Sequence, residues 1–232
     1  MINRAFPIRI NKYLAQKNLA SRRAADTLIE QKKVRINGKI AQLGDKVNEG
    51  DLVEIVGMKK REYIYLAYHK PIGVITHSPQ RGETDIERSI SLKGVFPLGR
   101  LDKNSHGLII LTNDGRITDS LLNPKFEHEK EYIVQTLNKL RSSFKEKMEK
   151  GVNIEGYTTK PCAVKILGEN TFSITLTEGK KHQIRRRCSN LFQEVSDLKR
   201  TRIMNIKLGN LKPNEYRKIE GEELKEFLAQ LA

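Results

Sequence analysis

Cysteine is scarce in this chain, long apolar runs are missing, and no segment repeats or falls into low complexity. Cys162 and Cys188 are the two cysteines in 232 residues; they lie far apart and have no Cys-x-x-Cys or His-x-x-x-His companion. That leaves no basis for a zinc site or a disulfide framework and predicts reduced thiols. No stretch approaches the length of a membrane span, and Met1 to Ile10 has no continuous apolar segment of signal-peptide length. The expectation is a cytoplasmic protein without a membrane partner. Acid is also short relative to base: 43 Lys and Arg stand against 28 Asp and Glu, a formal net charge of +15. An excess of that size implies an anionic partner, most simply nucleic acid, and composition does not choose RNA over DNA. With 38% hydrophobic residues the chain can bury a core, as one large domain or as a small one before a larger one.

The charge is concentrated at the front, where residues 1–60 hold thirteen Lys and Arg against six Asp and Glu, a net +7. Asn11 is a plausible N-cap for a short helix over Lys12 to Gln16. Ser21 caps a second helix with Ala24, Ala25, Leu28 and Ile29 on one face. Val34 to Ile36, the turn pair Asn37-Gly38 and Lys39 to Ala41 read as a hairpin, and Leu52 to Val56 as a further strand. Arg22 and Arg23 follow Ser21 at a helix N-terminus, where free N–H groups and the helix dipole favour phosphate. The plainer reading is a solvated face on a small helical unit.

Gly57 to Arg61 is short and charged and marks a boundary, giving domains over 1–57 and 62–232. Behind it the pattern predicts strands over Tyr63–Tyr68, Glu131–Thr136, Cys162–Ile166, Phe172–Leu176 and Thr201–Leu208. Helices are predicted over Phe144–Gly151, Lys180–Phe192 and Glu222–Leu231. Lys70-Pro71-Ile72-Gly73 reads as a turn, Gln80 to Leu92 as a polar loop, and Asn113-Asp114-Gly115 as the cap of a short helix that Pro124 stops. Ile184, Cys188, Leu191 and Phe192 share one face of their helix, so the run Arg185-Arg186-Arg187 is expected to point elsewhere.

The stretch with most chemistry is Phe96-Pro97-Leu98-Gly99-Arg100-Leu101-Asp102-Lys103-Asn104-Ser105-His106-Gly107, leading into the apolar run Leu108–Leu111. Turn residues on both sides place Asp102 on a loop held by a strand. A carboxylate beside Arg100 and Lys103 stays ionised near neutral pH and can serve as nucleophile or base. Taken alone, an Arg-x-Asp-Lys tetrapeptide is more often surface charge on a solvated turn.

The longer pattern Gly-Arg-Leu-Asp-x-x-Ser-x-Gly-Leu, followed by Thr-Asn-Asp-Gly, resembles the central motif of RNA pseudouridine synthases of the ribosomal-RNA type. The Lys-Pro-x-Gly turn at residues 70–73 is similar to that family's opening motif. Glu129-Lys130-Glu131-Tyr132 is similar to its second, and Gly179-x-x-x-Gln183-Ile184-Arg185-Arg186 to its third. The front segments Arg9–Ala15, Ser21–Asp26 and Val34–Gly38 resemble the alpha-L RNA-binding module of ribosomal protein S-four type. Arg202-Ile203-Met204-Asn205-Ile206 is closest to the branch that modifies large-subunit ribosomal RNA.

The resemblance implies an α+β protein: a small helix-helix-hairpin RNA-binding domain, then a mixed, mainly antiparallel β-sheet catalytic domain flanked by helices. It implies isomerisation of a uridine in structured RNA, 23S ribosomal RNA or also a transfer RNA, by a monomer without cofactor or metal. Asp102 becomes the catalytic residue with Arg100 supporting it. Tyr132 stacks on the base or takes its C5 proton, although a core tyrosine is the commoner use of such a residue. Arg185 pairs with Asp102, and Ile184 and Leu101 line the base pocket. RNA contacts fall to Arg9, Lys12, Ser21, Arg22, Arg23, Lys32, Lys33, Arg35, Asn37, Lys181 and Arg186. Arg187 departs from the Met expected at its position. The competing readings are a non-catalytic RNA-binding ribosome-assembly factor and a DNA-binding regulator built on the two front helices.

Overall fold

The computed structural model describes residues 6–17, 19–57, 62–80, 82–90 and 92–231. The chain divides into two compact units, Met1–Tyr63 with Asp114–Thr118, and Ile64–Asn113 with Asp119–Ala232. Of the boundary segment read from the sequence, residues 58–61 lie outside the described residues.

The front unit runs β1 (Ile8–Arg9), α1 (Ile10–Gln16), α2 (Arg22–Glu30), β2 (Val34–Ile36), β3 (Lys39–Ile40), β4 (Lys46–Val47) and β5 (Val53–Ile55). Ser21 caps α2, its hydroxyl accepting from the Ala24 N–H at 3.3 Å. Ala25 and Ile29, one turn apart, bury against Ile10, Leu14, Val34 and Val47. Asn37 and Gly38 take left-handed φ of 50° and 79°, the conformation a two-residue hairpin turn needs. Asn11 is not a cap: α1 begins at Ile10, and Asn11 Nδ2 donates to Asp26 Oδ1 at 2.8 Å, tying α1 to α2.

Beyond it come β6 (Tyr65–Lys70), α3 (Ile86–Ser89), β7 (Phe96–Leu98), β8 (His106–Thr112), α4 (Thr118–Leu122), β9 (Lys130–Thr136), α5 (Phe144–Lys150), β10 (Asn153–Ile154) and β11 (Tyr157–Thr158). Then follow β12 (Ala163–Ile166), β13 (Thr171–Leu176), α6 (Gln183–Asn190), β14 (Val195–Ile203), β15 (Ile206–Lys207), β16 (Tyr216–Lys218) and α7 (Gly221–Ala229). One sheet has the order β12-β13-β9-β14-β8-β6-β16, with β15 on β14 and β7 on β8. Its pairings among the described residues are antiparallel except β14 with β8. β8 is therefore central, and its run Leu108–Leu111 is wholly buried, as a strand covered on both faces must be. Gly107 makes the parallel seam close: a Cβ there would stand 2.3 Å from the Arg200 carbonyl oxygen.

α5 and α6 cover one region of the sheet, packing Phe144, Met148, Ile184 and Cys188 against Val134, Phe172 and Ile174. The segment read as a polar loop holds α3, capped by Asp85, whose carboxylate accepts from the Arg88 N–H at 3.0 Å. Ile86 and Ile90 bury against Leu66, Tyr68, Ile109 and Leu111, so apolar anchors hold that segment down.

α6 corrects two expectations. Phe192 stands past the helix end in a left-handed conformation (φ 59°) and is 76% exposed, off the buried face. Arg187 is wholly buried instead of pointing away. Its Nη2 donates to the Met148 carbonyl and approaches Cys162 Sγ at 3.0 Å, and its Nε lies 3.2 Å from Met148 Sδ. Near the end of β6, buried His69 contacts the Leu211 carbonyl through Nδ1 (2.8 Å) and His106 Nδ1, at the start of β8, through Nε2 (3.2 Å). His106 Nε2 in turn contacts Asp197 at 3.0 Å.

Candidate active site

The loop between β7 and β8 carries Asp102 into a cleft of about 770 Å³. Its wall includes Leu101, Asp102, Tyr132, Ile184, Lys130 and Arg200. The loop is pinned from beneath by Thr76, whose hydroxyl accepts from the Leu101 N–H (3.0 Å) and donates to the Leu101 carbonyl (2.9 Å). The Ser105 N–H closes a tight turn onto the Asp102 carbonyl at 3.0 Å, and the Gly73 N–H reaches the Lys103 carbonyl at 2.9 Å. Bonds to the main chain of the loop, from the Thr76 hydroxyl and from backbone N–H groups, therefore fix where Asp102 sits, and its carboxylate stays partly open at 39% exposure.

The partners of that carboxylate differ from those expected. Arg100 turns to His77, Nε to Nε2 at 3.0 Å, and Lys103 pairs with Glu83 at 3.0 Å. Arg185 donates to the main-chain carbonyls of Val195 (3.1 Å) and Asn104 (2.8 Å), and it lines a separate cavity with Phe192 and Gln193. Its reach ends on the Asp102 loop and not on the Asp102 carboxylate. Within ion-pair distance of the carboxylate stands His182, whose Nε2 lies 3.4 Å from Oδ1. His182 precedes α6 with a left-handed φ of 53° and is part of the cleft wall.

Buried cations surround the site. Lys70 at the end of β6 is wholly buried, its Nζ donating to the carbonyls of Pro71 (2.8 Å) and Val74 (2.7 Å). Burial pulls its pKa down to about 8, against the opposing pull of Asp102 and with the help of Arg200. Lys130 is lowered to about 8 in the same way, by burial first and then by Arg200. Arg200 is 3% exposed and donates from Nε to the Leu108 carbonyl at 2.6 Å.

Tyr132 and Arg200 are directly opposed in the β9–β14 ladder, so both side chains stand on the face that borders the cleft. Leu101 and Ile184, both nearly buried, give that cleft apolar walls. Flanking it, Lys181 is exposed and Arg186 pairs with Glu155 at 2.9 Å. In the front unit Arg9, Lys12, Arg22, Arg23, Lys32, Lys33 and Arg35 are exposed, and Ser21 is half-buried as the α2 cap. Asn37 is committed to the fold: its side chain donates to Asp51 at 2.8 Å and accepts from the Leu52 N–H at 2.9 Å.

Sequence reasoning gave no role to Thr76, Lys70, His182 or Arg200. The signal for Arg200 was there, since it falls two residues after Leu198 on the buried face of an alternating strand. Lys70 likewise ends an apolar run.

Residues 64–190 match the family model described as RNA pseudouridylate synthase, and residues 8–53 match that of the S4 domain. The chain is 40% identical over 224 residues to the dual-specificity RNA pseudouridine synthase RluF of Escherichia coli strain K12, covering 94% of this chain and 77% of that protein. It is 32% identical to the ribosomal large subunit pseudouridine synthase B of Bacillus subtilis, covering 95% and 96%. Among solved structures, one described as a pseudouridylate synthase superposes with a TM-score of 0.70 at 25% identity, covering 97% of this chain and all of that one.

Proposed function

The chain belongs to the RNA pseudouridylate synthase family, and we propose that the uridine it isomerises lies in a stem-loop of 23S ribosomal RNA, with Asp102 as the reacting carboxylate. The observation that carries this reading is the single cleft lined together by Asp102, Tyr132, Leu101 and Ile184. A uracil is flat, apolar on its faces and polar at its edge. Leu101 and Ile184 suit the faces, and Tyr132 offers a ring to stack on.

The target nucleotide leaves its stack at a cost of about a few kcal/mol, offset by such stacking and by phosphate contacts. The N1–C1′ bond then breaks with its electron pair remaining on uracil. Asp102 either joins C1′ through a carboxylate oxygen or takes the 2′ proton. The freed base turns and C5 bonds to C1′, as the carboxylate leaves C1′ in the first case or returns its proton to C2′ in the second; the C5 proton then leaves toward Tyr132, and N1 regains a proton. Exposed cations of the S4 domain, Arg22 and Arg23 foremost, hold the phosphate backbone. The name of the 40% identical relative supports a second RNA target, and transfer RNA is the one to assay.

The test compares pseudouridine maps of ribosomal RNA from cells carrying the wild-type chain and cells carrying Asp102→Asn. Loss of one site in the variant identifies the substrate. No change at any site in ribosomal or transfer RNA, with the variant folded and binding RNA as before, overturns the assignment of Asp102.

A further inference from the structure

The cleft wall contains polar atoms that the protein itself leaves unpaired. Arg200 Nη2 and Ser105 Oγ are both buried without a hydrogen-bond partner among the described residues, and both residues line the cleft. The other such atoms, on Asn11, Gln193 and Asn205, belong to residues outside its lining. Arg200 is not loosely placed. Its Nε is fixed on the Leu108 carbonyl of the central strand, and its backbone is pressed against Gly107. The guanidinium is thus held at the root while its outer nitrogen Nη2 has no acceptor. A buried guanidinium N–H and a buried hydroxyl in one wall are an arrangement that proteins complete with an oxygen atom. Asp102, the acid whose charge is felt by neighbouring Lys70, is 39% exposed and in contact with His182, so it does not fill that place.

Resting on the reading above, we propose that Arg200, assisted by Ser105, donates to a carbonyl oxygen of the uracil and stabilises the base as it departs. When the N1–C1′ bond breaks, the electron pair stays on the ring and spreads from N1 onto O2 and O4. A fixed cationic donor there stabilises the charge as it develops. The geometry of the rearrangement adds a second use. Turning the base about the axis through N3 and C6 exchanges N1 with C5 and, with them, O2 with O4. A donor that meets one carbonyl while the first bond breaks meets the other while the new bond forms. One arginine then serves both half-reactions without moving. Tyr132, across the ladder, covers the base while Arg200 addresses its edge.

The experiment is single-turnover kinetics with the full chain on a stem-loop RNA carrying uridine, 2-thiouridine or 4-thiouridine at the target, since sulfur is a poor acceptor. Arg200→Gln is expected to slow the uridine reaction by about 100-fold. Thio-substitution slows the wild type by about 10-fold and the variant hardly at all, because the bond it weakens is already gone. Equal thio effects in wild type and variant overturn the proposal. If Arg200→Gln fails to fold, Arg200→Lys and Ser105→Ala take its place, with the same shrinkage of the thio effect expected and the same equality overturning it. A wild-type chain that forms no pseudouridine in the uridine RNA shows a failure of the functional reading; an active wild type with equal thio effects shows a failure of the Arg200 assignment alone.

Discussion

The two units handle positive charge in opposite ways. In the front unit Arg9, Lys12, Arg22, Arg23, Lys32 and Lys33 stand in water over a small core. In the catalytic unit Lys70, Arg187 and Arg200 are at most 3% exposed. Exposed cations act at long range, add to one another and are screened by salt. Buried ones act over a few ångströms in a poorly polarisable surrounding and must be satisfied one bond at a time. On the reading proposed above, the same residue type gives affinity in one unit and chemistry or fold in the other.

The comparison breaks most visibly at Arg187. Removing it as Arg187→Ala takes a donor from the Met148 and Lys160 carbonyls and opens a cavity between α5 and α6, which is expected to cost about 3–5 kcal/mol in urea unfolding. Arg187→Met fills the volume and removes a desolvated charge, so it is expected to stay within about 1.5 kcal/mol of the parent. A loss as small as that for Arg187→Ala would erase the distinction between the units.

Substitutions in the front unit should do the reverse. Arg22→Glu with Arg23→Glu is expected to change stability by no more than about 0.5 kcal/mol per site. RNA affinity should fall, and the slope of log affinity against log salt should flatten by about 1 for each phosphate left without its cation. An unchanged slope in a salt titration would remove α2 from the RNA-binding face.

A finer contrast lies in titration. Asp102 raises the pKa of buried Lys70, so Asp102→Asn is expected to move Lys70 below about 8, read from its side-chain carbon resonances in a pH series. No movement would mean that the two charges do not share the cleft.

The smallest effect concerns His69, whose pKa burial holds below its ordinary value of 6.5, with His106 and Lys199 adding to the depression and the Leu211 carbonyl and Glu215 opposing it. Asp197 faces this group through His106. The native state prefers neutral His69, so its contribution to stability is full above about pH 6.5 and is lost as pH falls through the lower folded value. Thermal melts between pH 7 and 5 should show that decline, and His69→Gln should flatten it.

Much of this was legible in the chain because local rules and tertiary packing agree there. Ser21, the Asn37-Gly38 turn, the β9 and β13 alternations and the loop position of Asp102 all read correctly from neighbours in sequence. What misled was charge. Three consecutive arginines look like surface, yet helical spacing puts Arg187 between Ile184 and Cys188 on the inward face, and packing overrode hydropathy. Arg100 and Lys103 flank Asp102 in sequence and diverge to His77 and Glu83 in space, since adjacent loop residues need not face each other. Arg185 reaches the Asn104 carbonyl, a distinction between backbone and side chain of one loop that no residue pattern encodes.

Thr76 carries a further consequence. Its hydroxyl gives a proton to Leu101 and receives one from the same residue. A valine there keeps the shape and loses both bonds; asparagine, too long by a carbon, carries donor and acceptor on separate atoms. Serine alone preserves the two-way exchange at that reach, and it lies a single base change away from a threonine codon. Across any library built on this chain, position 76 is therefore expected to accept one substitution and reject the rest, a narrower tolerance than at many positions of the apolar core.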